Sequence, residues 1–424
     1  MAGRCQGADA PLLAELMPWS VPGLRLGRGW VRSAHPEVLA ARWQRLADAA
    51  PDARAALFGA SRARTLDSAV GQLPGQSGST GTLARDPGPC PPPVRIRHGA
   101  FDRLWLLPDQ RVLDAARPEL WRVADEAQLF ACVQPHAPGP AVAFSAELPD
   151  GHRERGLGRI HPLYRRPGGR EPNLAPGLTE YLGAVLGTGV TAEALLAWIA
   201  AAGRPADGAP GARTGEEVPI PLPASAGTWA EGVALGRRIL WLHTFGLRGA
   251  PEAGSPHAGS PDAGGGRPRM PGGRRPFVRE RVQGLPDAIG HDADTESLLL
   301  GSGRIAPVPR SVWEFQAAGQ PVLAGWFARR TADPGARPGS LEALGLSAWP
   351  QQSTADLVEL ATVLALLAEL RPAQAALLRP ERGPWISAAD LASAAVLPAP
   401  AWTRRPASVL SHQEEGPGGQ FALL

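Results

Sequence analysis

The stretch from Val94 to Trp121, VRIRHGAFDRLWLLPDQRVLDAARPELW, constrains the chain more than any other. Val94-Arg95-Ile96-Arg97 alternates apolar and cationic side chains, the period-two pattern of a strand with one wet face. Gly99 permits a turn, and Leu104-Trp105-Leu106-Leu107, closed by Pro108-Asp109, predicts a second, more buried strand. Arg95, Arg97, Arg103 and Arg111 then fall on the outward positions. A strand pair that buries aromatics and points arginines outward suits phosphates or base edges, because the guanidinium fork is rigid and bidentate. Arginine on an ordinary solvated sheet face fits the same pattern, and the residues alone leave both readings open.

Around this stretch the chain divides by composition. Residues 1–15 are expected to be a disordered lead and 16–75 a helical arm, with a helix over Glu37–Ala50 because Leu39, Trp43 and Leu46 share a face. Residues 76–93, rich in Gly and Pro, form a linker. Residues 94–248 are expected to be a β-rich domain with inserted helices, including one capped by Thr191 and one from Trp229 to His243. Residues 249–276 hold too little apolar surface to offset their ordering entropy and are expected to be a disordered linker. Residues 277–404 open with a hairpin over Ser297–Val308 and end in helices. One starts at Ser353 or Thr354 and stops at Pro372, and a last one runs from Ser387 to Val396. Residues 405–424 are expected to be a disordered tail. The fold class is α+β: a helical arm, a β-rich core with inserted helices, and a mixed C-terminal part.

Absences remove most chemistry. All 43 basic residues are arginine, so neither the lysine of a phosphate-cradling Gly-rich loop nor that of a common nuclease site exists. The only asparagine, Asn173, sits in Glu-Pro-Asn-Leu and lacks the Pro-Pro-aromatic partners that hold a flipped adenine. Cys5, Cys90 and Cys132 are few and far apart, which fits no metal spacing and suits a reducing cytoplasm. His291-Asp292-Ala293-Asp294 reads as a solvated turn before a metal pair, and His243 as a capping or packed histidine before a base. No run approaches 18 apolar residues, so a cytoplasmic protein with no membrane contact is expected. No catalytic residue, metal or cofactor is assigned. The net charge of +3 is weak evidence for a nucleic-acid partner.

Five ordered blocks carry a family resemblance. Phe101–Asp109 (FDRLWLLPD) with Arg117–Trp121 (RPELW) comes first, followed by Pro172–Leu178, Gly236–Thr244 and Gly303–Val308. Met17-Pro18-Trp19 through Gly27–Trp30 precedes them. These resemble the C-terminal specificity domain of type ISP restriction–modification enzymes, over roughly residues 16–404. In that family a nuclease, a translocase, an adenine methyltransferase and this domain share one polypeptide, and the chain looks like the last piece alone. The resemblance implies a non-catalytic module that recognises double-stranded DNA, with a separately encoded methyltransferase or restriction subunit as a further partner. The candidate contacts are Arg95, Arg97, Arg103, Arg111, Arg165, Arg166, Arg274, Arg275 and Arg304. The doublets suit phosphates, and strand-borne Arg95, Arg97 and Arg304 suit bases. The alternatives are a protein-interaction or regulatory remnant and the specificity subunit of a split DNA methyltransferase.

Overall fold

A period-two pattern becomes a ladder wherever a second strand offers its backbone groups, and here the first pair forms as its residues predict. The computed structural model describes residues 9–77, 79, 81–134, 139–150, 158–203, 217–248, 267–270, 274–331 and 335–408. Its N-terminal part holds α1 (Leu13–Leu16), β1 (Val21–Pro22), β2 (Arg32–Ser33), α2 (Pro36–Asp48) and α3 (Pro51–Phe58). Then β3 (Val94–His98) pairs antiparallel with β4 (Asp102–Leu106), Arg95 facing Trp105 and Arg97 facing Arg103. Helix α4 (Pro118–Val123) precedes β5 (Phe130–Val133), β6 (Val142–Ser145), β7 (Leu148–Pro149), β8 (Arg159–Pro162), β9 (Tyr164–Arg166) and β10 (Arg170–Pro172). Two four-stranded sheets result, ordered β2-β4-β3-β7 and β1-β8-β5-β6.

Helices α5 (Leu178–Leu186), α6 (Ala192–Ala202) and α7 (Ala226–His243) follow, with the short β11 (Leu222–Pro223) between the last two. Thr191 caps α6 by accepting from the Ala194 amide at 3.2 Å. Helices α6 and α7 touch so closely that a Cβ on Gly236 would lie 1.7 Å from the Ala197 carbonyl oxygen, so only glycine fits there. Trp198 and Trp229 stack across the same contact, 5.5 Å between centroids.

The last third opens with β12 (Phe277–Glu280), β13 (Ile289–Asp292), β14 (Ser297–Leu300) and β15 (Gly303–Ala306), an antiparallel sheet ordered β12-β15-β14-β13. After it come α8 (Arg310–Trp313), the hairpin β16 (Gln316–Ala317) and β17 (Gln320–Pro321), α9 (Val322–Ala328), α10 (Gln351–Leu377), β18 (Trp385–Ile386) and α11 (Ala388–Ser393). The architecture is α+β, as expected. No helix among the described residues is long and apolar enough to cross a membrane.

Two apolar clusters hold these elements, and both cut across the compositional segments. Trp30, Trp43 and Phe58 of the N-terminal part pack with Leu104 and Leu106 of β4 and Phe130 of β5. Leu83, from the Gly/Pro-rich stretch, and Leu73, just before it, are buried in that same cluster. The second cluster joins Leu13 and Leu16 to the α6–α7 pair, the late sheet (Leu298, Leu300, Ile305) and α10. Most of residues 249–276, residues 1–8 and residues 409–424 lie outside the described residues.

Two helix ends differ from expectation. α10 runs through Pro372 to Leu377. The proline removes one backbone donor, and packing outweighs the loss: Leu377 is fully buried, and the Gln374 amide donates at 3.3 Å to the carbonyls of Ala200 and Ala201. The last helix stops at Ser393 short of Val396, and its start is the expected capping box between Ser387 and Asp390.

Candidate nucleic-acid interface

The candidate arginines fall into three environments. The first is a seam in which β3 and β4 meet α7, α9 and α10. Arg97 was expected on a wet face and is instead buried, 1% exposed, because the face it points from is covered by the end of α7. Its Nη2 donates to the His243 carbonyl at 2.9 Å, and its guanidinium lies 4.9 Å from the Phe245 ring centroid. Nε and Nη1 have no hydrogen-bond partner among the described residues. Burial lowers its pKa to about 10, with Glu147 opposing.

Arg95 lies over the Trp105 ring at 4.4 Å and donates to the Arg103 carbonyl at 3.2 Å. Arg103 donates from Nε to Glu147 at 2.9 Å and stands 3.8 Å from Glu359 of α10. Asp102 closes the seam by accepting from Arg330 at 2.8 Å and pairing with Arg329. Burial alone would raise the Asp102 pKa; the Arg330 and Arg329 guanidiniums override it and hold the carboxyl well below the usual carboxylate range. The space among Arg95, Arg103, Phe245, Arg330 and Glu359 is about 20 Å³, room for one water and for no base or phosphate.

His243 stands beside Arg97, its Nδ1 accepting from the Phe144 amide at 3.2 Å. Burial, then the Arg97 charge, pushes its pKa down to about 3, which makes it a neutral packed histidine. A cleft of about 740 Å³ lies next to the seam, between the β3–β4 turn and α9, lined by Gln134, Gln320, Trp326 and Arg329 among others. The one carboxylate among the described residues of its lining, Asp102, is spent on two arginines.

The second environment consists of arginines that staple loops. Arg111, also expected outward, is buried: it chelates Asp109 and donates to the carbonyls of Gly81, Asp86 and Pro87 at 3.0–3.1 Å. Those carbonyls belong to a Gly/Pro-rich stretch without a ladder of its own, and Arg111 supplies the missing donors. Arg165 pairs with Glu171, donates to the Trp402 and Arg405 carbonyls, and lies over the Trp402 ring. Arg166 shares Glu171 and donates to the Ser408 carbonyl.

The third environment is open. Arg274 and Arg275 are exposed, Arg274 pairing with Glu369 at 2.7 Å. Arg304 on β15 faces Glu280 of β12, Nε to Oε1 3.6 Å. The sheet thus brings together Arg304 and the segment after Arg275, and it adds Phe277, Arg279 and Arg281, which were not singled out from sequence. The signal was the string Arg274-Arg275-Pro276-Phe277-Val278-Arg279-Glu280-Arg281, with its concentrated charge around an aromatic. His291 and Asp292 are held within the same sheet, Nε2 of His291 at 2.7 Å from the Val308 carbonyl oxygen and Asp292 accepting from Thr295. Among the described residues no group of three or more His, Cys, Asp or Glu could hold a metal ion.

The sequence model of the type ISP C-terminal specificity domain matches residues 15–205 and 215–360. No curated protein matches the chain. Among solved structures, the DrdV–DNA complex is similar at 15% identity over 85% of this chain and 35% of that one, TM-score 0.52. A nuclease-deletion mutant of the type ISP enzyme LlaGI with a DNA substrate mimic is similar at 13% identity, 91% and 29% coverage, TM-score 0.51. The ATP-dependent type ISP enzyme LlaBIII bound to DNA is similar at 11% identity, 91% and 24% coverage, TM-score 0.55. The chain spans about a quarter to a third of the length of these proteins, and at such identities the likeness concerns the fold.

Proposed function

The chain belongs to the family of type ISP C-terminal specificity domains, and from that membership we propose that it recognises a double-stranded DNA target without a catalytic step of its own. The observation that carries this reading is the family match, which runs from α1 through the late sheet into α10. The DNA in the three similar structures supports the choice of ligand. Catalysis belongs, in this reading, to a methyltransferase or restriction unit that the module serves, in the same polypeptide or another.

The arginine environments suggest a division of labour. Exposed Arg274 and Arg275 suit phosphates, which need charge more than fixed geometry. Arg304, held on a strand, suits a base edge. Arg95 and Arg103 contribute from the rim of the seam. Arg97 is buried under α7, and Arg111, Arg165 and Arg166 donate to backbone carbonyls and carboxylates, so these four act as positioning residues.

The test is selection of the purified chain on a randomised duplex library at two salt concentrations. Target recognition predicts an enriched consensus and an affinity that falls as salt rises. Salt-dependent binding without a consensus would overturn sequence specificity. Absence of binding at low salt would sink DNA recognition by the chain and favour a protein-interaction role.

A further inference from the structure

We propose that the open edge of the late sheet, with Phe277, Arg279 and Arg281 on and beside β12, is the surface that grips the phosphate backbone of duplex DNA; this rests on the DNA-recognition reading above. Among the described residues β12 pairs only with β15, and all four of its residues are exposed. An edge strand presents unpaired backbone groups, and charged side chains normally blunt it. Here positive charge dominates. The eight residues 274–281 hold four arginines and one glutamate, a local +3 equal to the formal charge of the entire chain. A chain that is close to neutral elsewhere has placed its excess on one edge.

The side chains are also arranged for use. Phe277 and Val278 are 47% and 42% exposed, two of the five large apolar side chains left exposed among the described residues. The Arg279 guanidinium lies 3.9 Å from the Phe277 ring centroid. Stacking on a ring face orients the fork and leaves its N–H donors unspent, unlike an ion pair that consumes them. The ladder shifts register between Val278 and Glu280, so Arg279 is the extra residue of a β-bulge. Bulges at sheet edges re-aim side chains and end pairing. Arg281 is exposed just beyond the strand. Neither Arg279 nor Arg281 has an ion pair among the described residues, whereas the seam arginine Arg103 meets two carboxylates.

The occupant is duplex DNA because the complement of this edge is a dense, regular row of negative charge. Two exposed apolar side chains are too few for a protein interface core, and phosphates require only the fork and the backbone amides beside it. The contact is one of position and affinity, and it carries no base information by itself.

The experiment measures binding of a mixed-sequence duplex by fluorescence anisotropy across salt, for the full chain and two double variants. Arg279→Ala/Arg281→Ala removes the edge charges; Arg62→Ala/Arg85→Ala removes two exposed arginines elsewhere. Two lost phosphate contacts predict a slope of log affinity against log salt shallower by about 2, and about tenfold weaker binding at low salt, for the first pair alone. Phe277→Ala, which frees Arg279 from its ring, should weaken binding about threefold. If the wild-type chain binds and both pairs weaken it alike, the effect is net charge and the edge is not a site. If Arg279→Ala/Arg281→Ala binds like wild type, the edge proposal fails while DNA recognition stands. If the wild type binds no duplex but captures polyglutamate through Arg279 and Arg281, both fall and the edge is a docking site for an acidic protein segment. Thermal unfolding of the variants, whose changes are on the surface, serves as the folding control.

Discussion

Arg97 and Arg279 both extend from antiparallel strands, and they have opposite fates. Arg97 lies under α7 with one donor on a backbone carbonyl, while Arg279 stands on an open edge with its donors unspent among the described residues. The residue type is the same and the backbone setting is similar. What differs is the third body: a helix end covers one strand pair, and among the described residues no strand continues the sheet beyond the other. Arginine in the seam therefore serves assembly, because a desolvated charge is costly unless it is satisfied. Arginine at the edge is available to a ligand because solvent screens it at little cost.

The sharpest way to break this comparison is to unseal the seam. Asp102→Ala leaves Arg330 buried and uncompensated and releases Arg329. A loss of about 3–5 kcal/mol is expected, read from the midpoint of denaturant unfolding. A loss below about 1 kcal/mol would mean the two halves are not held through this carboxylate.

Acid separates the regions next. His243 and His161 are buried, with burial lowering their pKa values to about 3 and about 4 from 6.5. Below pH 6.5 the unfolded chain takes up protons that the folded one refuses. Stability therefore falls with pH from 6.5 until each folded value is reached, and it is flat on this account above that window. At pH 5 each histidine costs about 2 kcal/mol relative to pH 7. Neither of these buried histidines belongs to the edge, so DNA affinity of the folded fraction should be unchanged between pH 7 and 5. Unfolding midpoints at the two pH values, for wild type and His243→Asn, check the first part; a variant with an undiminished acid slope would refute it.

Arg97→Met is the subtler test. Arg97 makes no hydrogen bond to a carboxylate among the described residues, so its removal strands only the His243 carbonyl; that loss is offset by removing a desolvated charge, and an apolar side chain of similar length is expected to change stability by about 2 kcal/mol or less in either direction. The salt slope of DNA binding should stay as in wild type. A slope shallower by about 1 would show that Arg97 reaches a phosphate after all, and that the seam opens on binding.

The same contrast explains what could be read from the chain beforehand. The strands of 94–106, the capped start of α6 and the late hairpin were legible because period, cap and turn residues are local. Ladder partners of Arg95 and Arg97 were legible as a hairpin, yet not which face would be covered, since that depends on α7, whose His243 lies 146 residues from Arg97. The Arg111 staple was hidden for the same reason: its carbonyl partners lie in a stretch that composition marks as linker. Pro372 misled because the local rule was overruled by contacts of Gln374 and Leu377 with distant elements. The Phe277–Arg281 edge was readable in composition, but its exposure came from sheet order, which no short window contains.

The smallest expected effect bears on the edge itself. Glu280 is the only negative charge in the segment 274–281 and lies 3.6 Å from Arg304. An exposed pair of this kind contributes between zero and about 1 kcal/mol, so Glu280→Gln should leave the unfolding midpoint nearly unchanged. If phosphates approach this edge, the carboxylate repels them and also competes for the Arg304 fork. Its neutral isostere should then tighten DNA binding about two- to threefold, an effect visible in the same anisotropy titration and fading as salt rises. Unchanged affinity at low salt would place the DNA away from β12 and return attention to the rim arginines Arg95 and Arg103.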